Sequence, residues 1–483
     1  MGPPIFEAVV HAWNYGSFFY FLIVNTSYLL LTVVSFFAVR NHLRRSSLVD
    51  EKLLFKYAAQ LKPVSILAPA YNEELTVVDN IRSLLNLNYP LFEVILINDG
   101  SQDGTLATLI ETYGLRRVEH APAETLPTQP IRAIYKSPHH ANLLVLDKEN
   151  GGKADALNAG INFSRFPLFM AIDTDSLLER DVLLKMVRPF LERPETVAIG
   201  GIVRAINGCE VRDGQVVKVK LPRNPLAAFQ VIEYLRAFLF GRVGWAAMGM
   251  LVVISGAFGL FRRSAVVSAG GYRETVGEDM ELVVRLHRLM RDRGEPYHIG
   301  FAPEPVCWTE VPESLGVLGR QRNRWSRGQL DTLRMHWRML FNPRYGRIGL
   351  IALPYALLVE GLGAVVEIAG LIVFFASWAM GFVTPSFAAG FLAVSILYGS
   401  VLSLSALVME EMSFRRYPRL TSILALFGFG LAESFGYHQL STWFRFMGVV
   451  DFLRGKKEWG KITRRGFATR PEGETAPKSE SGA

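Results

Sequence analysis

Two aspartates separated by one residue, Asp173-Thr174-Asp175, follow an apolar run that ends at Ile172. Carboxylates so placed at the exit of a buried strand can share a hard divalent cation whose other ligands are phosphate oxygens. The plainer reading of such a pair is a solvated strand end, so the choice rests on neighbouring groups. Asp99 lies in Asn98-Asp99-Gly100-Ser101, and Lys153 follows Gly151-Gly152. Alone, the first is a turn with a helix cap and the second a surface lysine. Together with the acidic pair they make a phosphate kit, because glycines let the backbone come close and lysine adds a point charge.

Three later segments carry further chemistry. Ser255-Gly256 sits in an apolar run, where glycine permits a close backbone approach or a strand bend. Gly277-Glu278-Asp279-Met280-Glu281 precedes a helix with apolar Leu282, Val283, Leu286 and Leu289. Acids at a helix start serve as dipole-stabilised caps. A carboxylate there can also take a proton from a hydroxyl within hydrogen-bond reach, which makes Asp279, with Glu278 beside it, the candidate catalytic group. In Arg320-Gln321-Arg322-Asn323-Arg324-Trp325-Ser326-Arg327, Gln321, Arg324 and Trp325 share one helical face, with Arg320 and Arg327 extending the basic side. A basic helix lying on a membrane has the same composition. A flat apolar ring and a forked cation are also what binding a sugar and a diphosphate requires.

The elements that must hold these groups alternate. Buried-strand runs at residues 64–69, 92–97, 142–146 and 168–172 are separated by helical patterns, one with Val77, Val78, Ile81, Leu84 and Leu85 on its apolar face. Asp103 is placed to cap the helix after the second strand. The alternation predicts an α/β domain with a mostly parallel sheet covered on both faces. Ligands bind such sheets at the carboxyl ends of their strands, where Asn72, Glu73, Asp99, Lys153 and Asp173 all fall. Residues 111–141, bearing Pro and His, read as a surface insertion.

Half of the 483 residues are hydrophobic and one fifth charged, which argues against an ordinary soluble protein. Residues 17–39 carry no charge and are long enough to span a bilayer, and Arg40, His42, Arg44 and Arg45 follow at once. The positive-inside rule then puts residues 1–16 outside and the chain from 40 onward in the cytoplasm, with 40–60 a basic linker and 61–345 the catalytic domain. The net charge of +8 is accounted for by lipid headgroups or a phosphorylated substrate rather than nucleic acid. Cys209 and Cys307 lie far apart, with neither disulfide-framework nor zinc spacing.

Apolar segments return at 349–383, 386–409 and 420–450. The first is interrupted by Pro354, Glu360 and Glu367, and the third by a polar break around Glu433 and His438. Three full crossings would leave the basic tail outside, against the charge rule. A re-entrant or in-plane third segment keeps the 451–483 tail inside, its last residues disordered in composition. Glu360, Glu367, Glu433 and His438 are candidates to line a polar route, or equally to join helices by hydrogen bonds.

The motifs PAYNEE, NDGS, GGKADALN, DTD, ISGAF, GED and QRNRW occur here in one order. That set resembles the family-2 inverting glycosyltransferases, especially the membrane synthases of cellulose, chitin, hyaluronan and bacterial poly-N-acetylglucosamine. The resemblance implies a GT-A-like fold flanked by transmembrane helices in the cell membrane, and a UDP-sugar donor, UDP-N-acetylglucosamine or UDP-glucose. It implies donor contacts from Tyr71, Glu73, Asp99, Lys153, Asp173 and Arg324, and Mg²⁺ or Mn²⁺ on Asp173 and Asp175. Asp279 is the implied base, and Ser255, Gly256, Gln321 and Trp325 form the acceptor side. The acceptor is a glycan, extended processively and exported with room for accessory subunits; the alternative is a single sugar added to a lipid. A non-enzymatic membrane scaffold is the remaining reading. Gly277 stands where many relatives carry Thr, and the acceptor loop lacks a cysteine, so the polymer stays open.

Overall fold

A computed structural model of the chain describes residues 3–46, 60–417 and 419–456. It opens with helix α1 (Pro3–Ser46). Then follow β1 (Val64–Ala70), α2 (Val77–Leu85), β2 (Phe92–Asp99), α3 (Thr105–Tyr113), β3 (Arg116–Arg117), β4 (Ile131–Lys136), β5 (Leu143–Lys148), α4 (Gly152–Phe163) and β6 (Leu168–Ile172). The chain continues through β7 (Ser176–Leu178), α5 (Val182–Glu192), β8 (Thr196–Ala205), the hairpin β9 (Glu210–Arg212) and β10 (Gln215–Lys218), α6 (Pro225–Leu235), β11 (Phe258–Arg262), α7 (Glu278–Arg293), β12 (His298–Thr309) and α8 (Leu315–Met335).

Ten strands form one sheet in the order β3-β4-β5-β2-β1-β6-β11-β8-β12-β7. β5, β2, β1 and β6 are mutually parallel, and β8 pairs in parallel with β12. Every residue of β6 and all but one of β1 are buried, as a strand covered on both faces requires. β11 is inserted antiparallel between β6 and β8, with Phe258 opposite Ile172. That reversal puts the start of β11, not its end, on the edge where β1, β2, β5 and β6 finish.

Two expectations change. Residues 111–141 are not merely a surface insertion, because β3 and β4 within them extend the sheet antiparallel to β5. The N-cap of α3 is Gly104 and not Asp103, which lies one residue ahead and accepts from the Thr105 amide at 3.0 Å.

Helices α9 (Gly363–Ala379), α10 (Pro385–Ser413), α11 (Leu420–Ala432) and α12 (Tyr437–Leu453) complete the chain. Among the described residues, two helices, within α1 and at α10, are long and apolar enough to cross a membrane, or up to four if each bent pair counts as one span. The α1 helix runs past both ends of the 17–39 segment. Near one end Phe6 packs on Phe382, and near the other His42 bonds Glu304 of β12 at 3.0 Å. Helix α10 returns toward the sheet, where Glu410 pairs with Arg204 of β8.

Residues 348–361 and α9 meet at a 40° bend, and α11 and α12 at a 57° bend. With 13 residues, α11 is about 20 Å long, short of the roughly 30 Å hydrocarbon core. α12 then lies against α8, where Asn323 donates to Asp451 at 2.9 Å and Arg327 to the Lys456 carbonyl at 2.8 Å. Arg327 therefore anchors the segment just after α12 and does not extend the basic face. Most of the 40–60 linker, and the tail beyond Lys456, lie outside the described residues.

Candidate active site

Three loops meet at the carboxyl edge of β1, β2 and β5. Asn72, after β1, holds a left-handed φ of 55° and accepts from the Gln102 amide at 2.8 Å, joining the first two loops. Glu73 is buried and accepts from the Thr76 hydroxyl at 2.7 Å, while Tyr71 is half exposed at the rim. Gly100 has φ +68°, and a Cβ there would lie 2.8 Å from the Asn150 nitrogen, so the Asn-Asp-Gly-Ser turn requires glycine. Asp99 accepts from the Gly151 and Gly152 amides at 3.0 and 2.8 Å and from Lys148 at 2.7 Å. It is a carboxylate seated at the N-terminus of α4, a place the helix dipole favours. Fully buried Lys148 also pairs with Asp155 at 2.5 Å. Asp99 thus sets the shape of the 150–152 loop.

Beyond β6, Thr174 is buried and donates to the Pro69 carbonyl at 3.2 Å. The middle residue is turned inward, and its neighbours Asp173 and Asp175 both line the cavity. Lys153 ties this edge to the loop before β11 and to the start of α7. Its ammonium lies 2.5 Å from Asp173, 2.9 Å from the Gly256 carbonyl and 3.7 Å from Glu278. Burial opposes its charge, but Asp173 and Glu278 outweigh that and hold its pKa above the ordinary lysine value. The lysine assigned to a phosphate is here held by carboxylates.

Because β11 runs antiparallel, Ser255-Gly256 arrives at the same edge. Asp279 accepts from the Gly256 amide at 3.0 Å and from the Met280 amide at 2.8 Å, which fixes its carboxylate in the first turn of α7. Burial pushes the Glu278 carboxyl up to about 7, with Lys153 opposing and the Asp279 charge adding to the rise. Gly277 packs backbone to backbone on α8, and a Cβ there would lie 2.7 Å from the Gly328 carbonyl oxygen. The position therefore leaves no room for a side chain.

Gln321, Arg324, Trp325, Gly328 and Gln329 present one face of α8 to the cavity. Trp325 is half exposed, and the guanidinium of Arg322 lies 4.3 Å from its ring centroid. Arg322 is buried and pairs at 2.6 Å with Glu233 of α6, which also accepts from Tyr437 at 2.6 Å. Sequence reasoning passed over Arg322 and Glu233, since nothing local marks partners so far apart in the chain.

All the candidate residues line one cavity of about 1970 Å³, running from Tyr71 and Asp99 to Glu360 in the bent membrane segment. Of the four polar candidates in the apolar helices, only Glu360 reaches it. Glu433 is buried against Arg236 and Ser403, and His438 bonds Glu367 at 2.8 Å. Those three join helices.

The chain matches the family described as Glycosyl transferase family group 2 over residues 168–407 and Glycosyl transferase family 2 over residues 65–121. It is 28% identical over 325 residues to the poly-beta-1,6-N-acetyl-D-glucosamine synthase of Staphylococcus epidermidis, covering 67% of each chain. It is 31% identical over 278 residues to the Staphylococcus aureus protein of the same name, covering 57% of this chain and 56% of that one. Among solved structures, the mannosyltransferase PcManGT from Pyrobaculum calidifontis, in complex with GDP-Man and Mn2+, aligns over 86% of this chain and 99% of that one, with 17% identity and a TM-score of 0.48. The chain belongs to the family-2 glycosyltransferases, and it is an enzyme of that class with an α/β domain flanked by apolar helices.

Two outcomes follow from this geometry. Gly277→Ala must move α8 or the 276–279 loop, so glycosyl transfer is expected to fall at least about ten-fold, and a transfer rate equal to wild type would remove the close contact from the account. Glu278 is raised in the folded chain, so the stability it lends is complete below its ordinary value of 4.5 and is lost as the pH rises through about 7. Glu278→Gln should therefore flatten the fall in thermal midpoint over that window, which melting curves read directly.

Proposed function

We propose that this chain is a membrane-integrated inverting transferase that moves a sugar from a UDP-sugar, UDP-N-acetylglucosamine or UDP-glucose, onto a growing polysaccharide. The observation that carries this reading is the single cavity joining Asp173 and Asp175 at the strand edge to Glu360 in an apolar helix. A one-sugar acceptor needs no such length, whereas a chain leaving through the membrane does. The similarity to enzymes named poly-beta-1,6-N-acetyl-D-glucosamine synthase supports N-acetylglucosamine as the sugar. In this reading residues 61–345 lie on the cytoplasmic face, the N-terminus lies outside, and α11–α12 are re-entrant. The attachment of Lys456 to Arg327 supports an inside tail. Membrane lipids surround the apolar helices, and export subunits would meet the outer end.

Tyr71, Glu73, Asp99 and Lys153 hold the nucleotide and diphosphate. The donor set fits a hard cation: Asp173 and Asp175 flank an inward-turned Thr174, both line the cavity, and two carboxylates do not fill a coordination shell. The pair therefore leaves ligand places for diphosphate oxygens and water. When bound, Mg²⁺ or Mn²⁺ supplies Lewis-acid neutralisation of the leaving group. Asp279 takes the proton of the acceptor hydroxyl as its oxygen bonds to the anomeric carbon. The bond from that carbon to the diphosphate breaks with its electron pair on UDP, and the centre inverts. Arg324 supports the charge that forms there, and Trp325 offers the acceptor sugar a platform.

The test is a panel of radiolabelled UDP-sugars given to the full chain in membranes, with linkage-specific digestion of the product. Polymer from one donor, abolished by chelator and by the double change Asp173→Ala/Asp175→Ala, is expected. A lipid carrying one sugar as sole product would defeat the synthase reading, and transfer surviving in the double variant under chelator would defeat the metal role.

A further inference from the structure

The cavity wall carries a cation that the chemistry described so far does not use. Helix α6 continues into a π-helical turn, Arg236–Arg242, and Arg242 is its last residue. Such turns cost hydrogen-bond geometry and are often found at functional sites, since the extra residue re-aims the side chains that follow. Here the turn is braced by the membrane helix α1, whose Ser35 hydroxyl donates to the Phe240 carbonyl at 2.6 Å.

Arg242 lines the cavity with its guanidinium 3.9 Å from the centroid of the Phe238 ring, which orients it. Its Nη1 is buried and has no hydrogen-bond partner among the described residues. A buried guanidinium donor left unmade is costly, so an oxygen delivered by a ligand would repay its desolvation. Asp279 and Glu360 line the same cavity and are the carboxylates whose charge favours its protonated form. Glu360 is itself oriented, since Gln329 donates to its carboxylate at 2.8 Å and to the Ala356 carbonyl at 3.1 Å.

We infer that Arg242, with Glu360 and Gln329, forms a second sugar subsite, one unit behind the acceptor terminus, for a neutral hexose or N-acylhexosamine. Arg242 donates to a hydroxyl or acyl oxygen of that unit and Glu360 accepts from a hydroxyl. The opposed charges leave the subsite with no net preference for an ionised sugar, and an amino sugar facing Arg242 is disfavoured by like charge. The inference rests on the glycan-acceptor reading above and adds to it a specificity determinant beyond the reacting hydroxyl.

The experiment compares acceptor mono-, di- and trisaccharides at saturating donor, with UDP affinity and melting temperature measured for each variant. In wild type the second sugar unit raises kcat/KM, chiefly through a lower acceptor KM. Arg242→Gln is expected to erase roughly ten-fold or more of that gain, the worth of a hydrogen bond to a charged group, while Arg242→Lys restores part of it. Gln329→Leu, which frees Glu360 without touching the arginine, should lose part of the same gain and covers the case in which Arg242→Gln does not fold. A full wild-type gain in folded Arg242→Gln, or in Gln329→Leu, overturns the subsite. Wild-type protein that uses a lipid acceptor and no saccharide overturns the glycan reading first, and shows it before any variant is made.

Discussion

The site depends on one partly buried ammonium, that of Lys153. Asp173, at the end of β6, and Glu278 and Asp279, both at the start of α7, would repel one another in a partly enclosed cavity, where like charges are felt more strongly than in water. Lys153 sits among them and also takes the Gly256 carbonyl, so one cation joins the end of β6, the loop before β11 and the start of α7. Its place at the start of α4 follows in turn from Asp99 binding the Gly151 and Gly152 amides. Charge compensation, more than apolar packing, keeps the two halves of the site in register.

Sheet topology makes that compensation possible. An all-parallel sheet would carry the start of every strand to the opposite edge. The antiparallel β11 delivers Ser255-Gly256 beside Asp173 instead, and the amide of Gly256 then fixes Asp279. The third wall, α8, is pressed against the 276–279 loop by the Gly277–Gly328 contact and held from behind by α12. Because α12 belongs to the apolar part of the chain, the apolar helices and this wall of the cavity are joined directly.

The parts readable from sequence were those written in local pattern. Alternating buried strands and helices placed Glu73, Asp99, Lys153 and Asp173 on one edge, and helical spacing placed Gln321, Arg324 and Trp325 on one face; all of them line the cavity. What escaped was written in tertiary contacts. Nothing near Arg322 announces Glu233 or Tyr437. β3 and β4 were hidden because a two-residue strand and a half-exposed one at a sheet edge carry too little apolar signal. The helix-joining roles of Glu433 and His438 were equally invisible, since a polar residue in an apolar helix looks the same whether it faces a partner or a channel.

The central claim is that donor binding and proton abstraction are separate tasks in one cavity, with Asp279 responsible for the second alone. The most direct measurement is Asp279→Asn, which keeps the side chain's shape and removes its basicity. Transfer and UDP affinity are read on the same preparation. The account predicts transfer lowered by about a hundred-fold or more with UDP affinity nearly unchanged. Transfer retained at the wild-type rate, or UDP binding lost together with it, would contradict the account.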